Sequence, residues 1–278
     1  MHIDIEKAIK ELVAKGIKLP PQPKVLVELQ KKLASKNCNI KDLAGIVSSD
    51  PGITAMLFKT ARSPVFSGGR KFNSVEDALM VIGIKQVYNL VQAVVLSTSI
   101  SSATRKSFDI FWTRSQEVAQ IAALIAADRV SVCNIFPDQA YMAGIFHECG
   151  VPVLMQRFPE YCGKLHLDTA TCWPKLADED ALFNVDHCSI GYLVAHHWKL
   201  PDFICQAILY HHEMPHEELG AVRTLVATLQ LATHFYLRIT RVKDPAWLKL
   251  REEVLAELGI HPDAEQEFYE DISAQFLA

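Results

Sequence analysis

The chain has 278 residues, half of them hydrophobic, enough to bury one large core or two modest ones. Its 28 basic and 32 acidic side chains leave a formal charge of −4, and no long basic run offers the Lys/Arg footprint that holds nucleic acid. Apolar stretches such as Val118 to Ala127 fall short of the roughly 18 residues a bilayer span requires, so neither nucleic acid nor membrane is an expected partner.

From the N-terminus, Ile5, Ala8, Ile9, Leu12 and Val13 recur at helical spacing and stop at Gly16, the pattern of a leading helix with a glycine after its end. Charges interrupt this segment throughout, which a secretion signal does not allow, and the expected compartment is the cytoplasm. LPPQPK breaks the chain and hands over to a helix with Val25, Leu26, Leu29 and Leu33 on one side. Asn39 is placed to cap a short helix holding Leu43, Ile46 and Val47. Ser49-Asp50-Pro51 then sets a cap before a first-turn proline, opening a helix that runs to about Arg62. Ser63-Pro64 and Ser67-Gly68-Gly69 predict a loop. Ser74 and Asp77 form an approximate capping box for the helix bearing Ala78, Leu79 and Ile82, which Gly83 punctuates, and another runs from about Lys85 to Ser97.

Beyond a polar seam at Ser101 to Lys106 the spacing predicts helices at Phe111–Ala127, Asp138–Glu148, His187–Trp198, Asp202–His212 and Leu219 to about Arg238. Few segments alternate with period two and no repeat is visible, so the expected fold class is all-α. From Pro245, acidic residues such as Glu252, Glu253, Glu257 and Glu265 interleave with Val254, Leu255, Leu258 and Phe268. This reads as an acidic outer face on packed helices, the alternative being a docking tail for a basic partner. Seven cysteines without a CxxC pair read as structural thiols of a reducing compartment.

Metal-ligating residue types concentrate between 108 and 240, in His147-Glu148, Asp186-His187, His196-His197 and His211-His212-Glu213. Imidazole and carboxylate together suit zinc, iron, manganese or nickel, and a helical bundle builds such a site from several helices. Histidines also cap helix ends. Asp186 is placed to cap a helix starting at His187, and His211-His212 end theirs, where a cation suits the helix dipole.

LPPQPKVLVELQKKL, KDLAGIVSSDPGITAMLFKTARS and SVEDALMVIGIKQVYNLV, followed in order by FWTRSQEVA, AYMAGIFHECG, DHCSIGYLVAHHWKLP and ILYHHE, resemble the HDOD (HD-related output domain) family over roughly residues 17 to 215. The resemblance implies an HDOD domain at 17–215, helical to about 105 in a first subdomain with a degenerate HD-like core after it, and a C-terminal helical extension over 216–278. It also implies kinship with HD metal-dependent phosphohydrolases and a regulatory role in bacterial signalling without established catalysis.

A working HD site needs a histidine, an adjacent His-Asp pair and a distant aspartate around a divalent cation that activates water. The motif alignment implied by the resemblance puts Arg114 at the first histidine, keeps His147, replaces the pair's aspartate by Glu148 and brings Thr233 to about the final aspartate. A guanidinium about 4 Å from a divalent ion is repelled by roughly 8 kcal/mol at an effective dielectric of 20, and it cannot ligate. Arg114 is therefore expected to pair with Glu148 in the metal's stead, the alternative being an exposed helix residue. His187, His211 and His212 resemble positions that some HD relatives use, with His147, for an additional metal. The leading expectation is no catalytic residue and no cofactor, with a signalling protein or a small nucleotide as partner. The alternative is a metal-dependent phosphohydrolase acting on a nucleotide or phosphodiester through His147, Glu148, His187, His211 and His212, with iron, manganese, zinc or nickel.

Overall fold

A computed structural model describes residues 14, 16–17, 24–35, 38–49, 51–62, 64–67, 74–84, 87–88, 91 and 104–278. Most of the expected leading helix, the LPPQP part of the break, Gly68 and Gly69 of the expected loop and most of the helix at 85–97 lie outside the described residues. Every regular element among the described residues is helical, so the chain is all-α. It divides into two compact units, Pro20–Ser99 and the remainder.

The smaller unit contains α1 (Lys24–Leu33), α2 (Ile40–Ser48), α3 (Pro51–Ala61), the single turn α4 (Pro64–Ser67) and α5 (Val75–Ile82). Asn39 accepts a hydrogen bond from the Asp42 amide and Ser74 from that of Asp77, so both predicted N-caps form. α5 ends at Gly83, whose φ of 85° only glycine adopts without strain. α2 and α3 pack on α5 through Leu43, Val47, Ile53, Leu57, Ala78 and Leu79, all buried. Two expectations shift. Leu33 is exposed, because the last turn of α1 runs past the packed surface, and residues 64–67 form a helical turn rather than a loop, started by Pro64 with its preset φ.

The larger unit is built around α6 (Arg105–Cys133), 29 residues long, with α7 (Pro137–Phe146), α8 (Gly150–Arg157), the single turn α9 (Tyr161–Lys164), α10 (Leu176–Phe183), α11 (His187–His197) and α12 (Asp202–Tyr210) after it. α13 (Ala221–Ile239), α14 (Trp247–Glu257) and α15 (Glu265–Leu277) complete it. Phe108, Phe111, Val118, Ala122 and Ile125 of α6 are buried, and so are its polar residues Ser115 and Gln116. Burial on all sides marks a central helix. α6 outruns the expected Phe111–Ala127 because polar residues such as Arg129 and Ser131 turn to solvent without breaking the helix, which ends at left-handed Asn134.

α7 lies along α6, and Gly144 permits the approach: a Cβ there would stand 2.5 Å from Ala119 Cα. α8 crosses α11 as closely, since a Cβ on Gly150 would meet the His187 carbonyl at 2.1 Å. α13 packs on α6, α12 and α14, and α15 on α6 and α13. The acidic residues of the last two helices split between surface and interior. Glu252 is exposed, whereas Glu265 is buried, taking hydrogen bonds from Trp247 Nε1 (3.1 Å) and Arg251 Nε (2.6 Å).

Candidate functional site

Six elements of the larger unit deliver polar side chains to one buried region: α6 brings Arg114, the end of α7 His147 and Glu148, α10 Glu179, α11 His187 and Cys188, the end of α12 His211 and His212, and α13 Gln230 and Thr233.

Arg114 and Glu148 do pair. Arg114 Nη2 donates to Glu148 Oε2 at 3.4 Å, with the side chains 3% and 1% exposed, so the reading of Arg114 as an exposed helix residue is overturned. The guanidinium also donates through Nη1 to the Cys172 carbonyl at 3.0 Å and lies 3.8 Å over the Trp173 ring. Burial alone would raise the Glu148 carboxyl; the Arg114 charge, with the neighbouring imidazoles, outweighs it and holds the carboxyl below its ordinary range.

Three histidines have their tautomers set by the groups around them. The His147 Nδ1 hydrogen is taken by the Gly144 carbonyl (2.7 Å), that of His211 by the Ile208 carbonyl (2.7 Å) and that of His187 by Glu179 Oε2 (2.7 Å). Each ring therefore turns an Nε2 lone pair inward. Glu179 is itself buried, accepting from the His187 amide (3.0 Å) and from the Tyr161 hydroxyl. His187 Nε2 stands 2.9 Å from His212 Nε2 and 3.4 Å from His211 Nε2. Lone pairs facing at such distances repel unless a positive charge lies between them. Burial lowers His187, but Glu179's hydrogen bond and charge more than reverse this and raise it. Burial and the neighbouring rings push His211 well down and His212 down to about 4.

One proton on His187 thus satisfies the cluster, and so would one divalent cation. Two nitrogens about 2.1 Å from a common ion at 90–109° lie about 3.0–3.4 Å apart, so the donors fit. Cys188 Sγ, with the ring nitrogens of His187, His211 and His212, completes a group whose ligand atoms all lie within 4.8 Å of one another. A divalent ion on Glu148 does not fit, because the Arg114 guanidinium already supplies a cation beside that carboxylate.

Burial and the neighbouring rings lower the proton affinity of His211 and His212, which works against the cationic role that a helix C-terminus favours. Asp186 does cap α11, accepting from the Ser189 amide at 2.7 Å. Thr233 lines one recess with His147, Glu148, His211 and His212. His196 lies half-buried 3.5 Å from Asp202, and His197 is exposed; neither joins the site. Sequence reasoning missed Glu179, Tyr161, Trp173 and Cys188.

The HDOD domain model matches residues 19–214. The chain belongs to the HDOD family. An HDOD domain protein of unknown function from Geobacter sulfurreducens shares the fold, with a TM-score of 0.59 at 23% identity over 99% of this chain and all of that one. A candidate signal transduction protein from Marinobacter aquaeolei VT8 superposes with a TM-score of 0.69 at 21% identity, covering 98% of this chain and 62% of that one. A candidate metal-dependent phosphohydrolase from Shewanella amazonensis SB2B gives 0.66 at 20% identity, over 98% and 97%. An uncharacterized protein of Treponema pallidum (strain Nichols) is 22% identical over 223 residues, 78% of this HDOD chain and 42% of that protein, so the chain spans less than half of that relative's length. Among the described residues no helix is long and apolar enough to cross a membrane.

Proposed function

We propose that this chain is a non-catalytic regulatory module of bacterial signalling, in which residues 17–215 form the HDOD domain and 216–278 a helical extension, and which acts by binding a signalling protein. The supporting observation is Arg114, seated on Glu148 where a hydrolase would need a ligand. A guanidinium never gives up its proton, so it neutralises the carboxylate permanently and leaves nothing there to activate water. His147, the intact remnant of the motif, keeps an Nε2 lone pair without a hydrogen-bond partner.

A second reading, a metal-dependent phosphohydrolase, draws on the pinned tautomers. His187, His211 and His212 would hold a divalent ion through Nε2, with Glu179 behind His187 orienting its ring. Such an ion would supply Lewis-acid activation of water or phosphate.

Protein purified without chelator, analysed for iron, manganese, zinc and nickel and assayed with bis(p-nitrophenyl) phosphate and nucleoside phosphates, separates the two. The regulatory reading expects no turnover above that of His147→Ala or of His211→Ala with any added metal. Turnover that either substitution abolishes would overturn it.

A further inference from the structure

The recess beside the Arg114–Glu148 pair is built to accept hydrogen bonds rather than to receive phosphate. Its walls include Trp173 and Trp247. Three buried side chains on it carry an acceptor atom with no partner: His147 Nε2, Glu148 Oε1 and Gln230 Oε1. His147, Glu148 and Gln230 are 2%, 1% and 7% exposed, so what satisfies them must come into the recess. One partnerless donor, Trp173 Nε1, faces the same space. A phosphate group is excluded, since it brings negative charge and further acceptors against a carboxylate and lone pairs. A second divalent ion is disfavoured by the guanidinium on Glu148.

The mouth has the opposite character. The adjoining cleft shares Trp173, His212, Thr233 and Asp244 with the recess, and its rim carries Lys164, Lys175 and Lys243. Of the acids there, Asp244 already accepts from His234 Nδ1 (2.9 Å) and the Trp247 amide (3.2 Å), leaving exposed Asp178. Lys175 and Lys243 form no ion pair among the described residues.

The geometry points to a guanine nucleotide bound base first, its donor-rich edge on Glu148, His147 and Gln230 and its phosphates on the lysines of the rim. Guanine presents N1–H and the exocyclic N2 amine side by side, with O6 as the one acceptor on that edge, matching three acceptors and one indole N–H. Adenine offers an amine beside an acceptor and leaves two of the three unsatisfied. A buried acceptor without its donor costs enough to discriminate strongly between ligands. This orientation rests on the regulatory reading, because it sets the phosphates on the lysines of the rim rather than among His187, Cys188 and His211, which with His212 form the metal-ligating group found among the described residues.

The test is calorimetry on the full chain in EDTA with GDP, ADP, guanosine and inorganic phosphate, together with chromatography of GDP recovered from a parallel incubation with manganese in place of EDTA. The expectation is GDP at least 10-fold tighter than ADP, guanosine weaker than GDP, and no displacement of GDP by equimolar phosphate. Lys175→Ala/Lys243→Ala, both at exposed positions, is expected to bring GDP down to the affinity of guanosine and to leave guanosine itself unchanged. Equal affinity for GDP and ADP, binding of phosphate without guanosine, or no binding at all would overturn the inference. GDP bound as predicted but recovered hydrolysed would uphold the base-first orientation and overturn the regulatory reading instead.

Discussion

Arg114 and Glu148 form an ion pair sealed from solvent, 3.4 Å apart, with the guanidinium stacked on Trp173. Neither charge has water to fall back on. Replacing one partner, as in Arg114→Met or Glu148→Leu, is expected to cost about 3–5 kcal/mol in urea denaturation, whereas the double substitution recovers most of that loss. Additive losses would mean that the pair contributes no coupling.

The histidine cluster sets the acid response. His212 has its proton affinity pushed from 6.5 down to about 4, so folding favours its neutral form. Its contribution is complete above pH 6.5 and is lost as the pH falls toward 4. The shift corresponds to about 3 kcal/mol, which solvent at the exposed ring reduces to on the order of 1–2 kcal/mol. His187, raised by Glu179, works in the opposite sense, stabilising below its ordinary range and losing that contribution as pH rises. His212→Asn is therefore expected to flatten the decline in stability between pH 6.5 and 4, measured in chelator. An unchanged slope would remove His212 from the account.

Backbone approach is tested by glycine. Gly150→Ala places a methyl 2.1 Å from the His187 carbonyl, and Gly144→Ala one 2.5 Å from Ala119 Cα. Each is expected to destabilise by about 1–3 kcal/mol or more, seen as a lowered urea midpoint. Gly163→Ala, with nothing within 4 Å of the added carbon, is expected to be close to neutral.

Thiol reactivity follows burial. Cys149, Cys162, Cys188 and Cys205 are buried and Cys38, Cys133 and Cys172 half-buried. Burial pushes Cys205 up to about 12, and Cys149 and Cys188 higher. Iodoacetamide at pH 8 is expected to label the native protein only at the half-buried three, and all seven after denaturation, as counted by mass spectrometry.

Local signals were legible and distant ones were not. Asn39, Ser74 and Asp186 reach an amide three residues on, a relation written in the sequence itself. Arg114 could be paired with Glu148 because the HD motif tells which positions converge. Glu179 had no such guide: it sits in Asp178-Glu179-Asp180, which reads as a solvated face, and only the connection from α10 into the first residue of α11 brings it to the His187 ring and amide. Cys188 looked inert for the same reason, its neighbours at 211 and 212 being supplied by another helix. Thr233 drew the alignment's interest while the adjacent His234 did not, yet His234 stacks on Trp247 and bonds Asp244.

The Arg114 side chain reaches two very different places at once. One arm grips the carboxylate at the bottom of the recess, and the other holds the main chain at Cys172, in the exposed run that carries His166, Asp168 and Thr171. That single planar group works as a latch between the interior and the rim. Removing that group, as in Arg114→Met, takes the donor from the Cys172 carbonyl without any helix having to shift, and the loss is expected to be reported outside as protease sensitivity at residues 165–175.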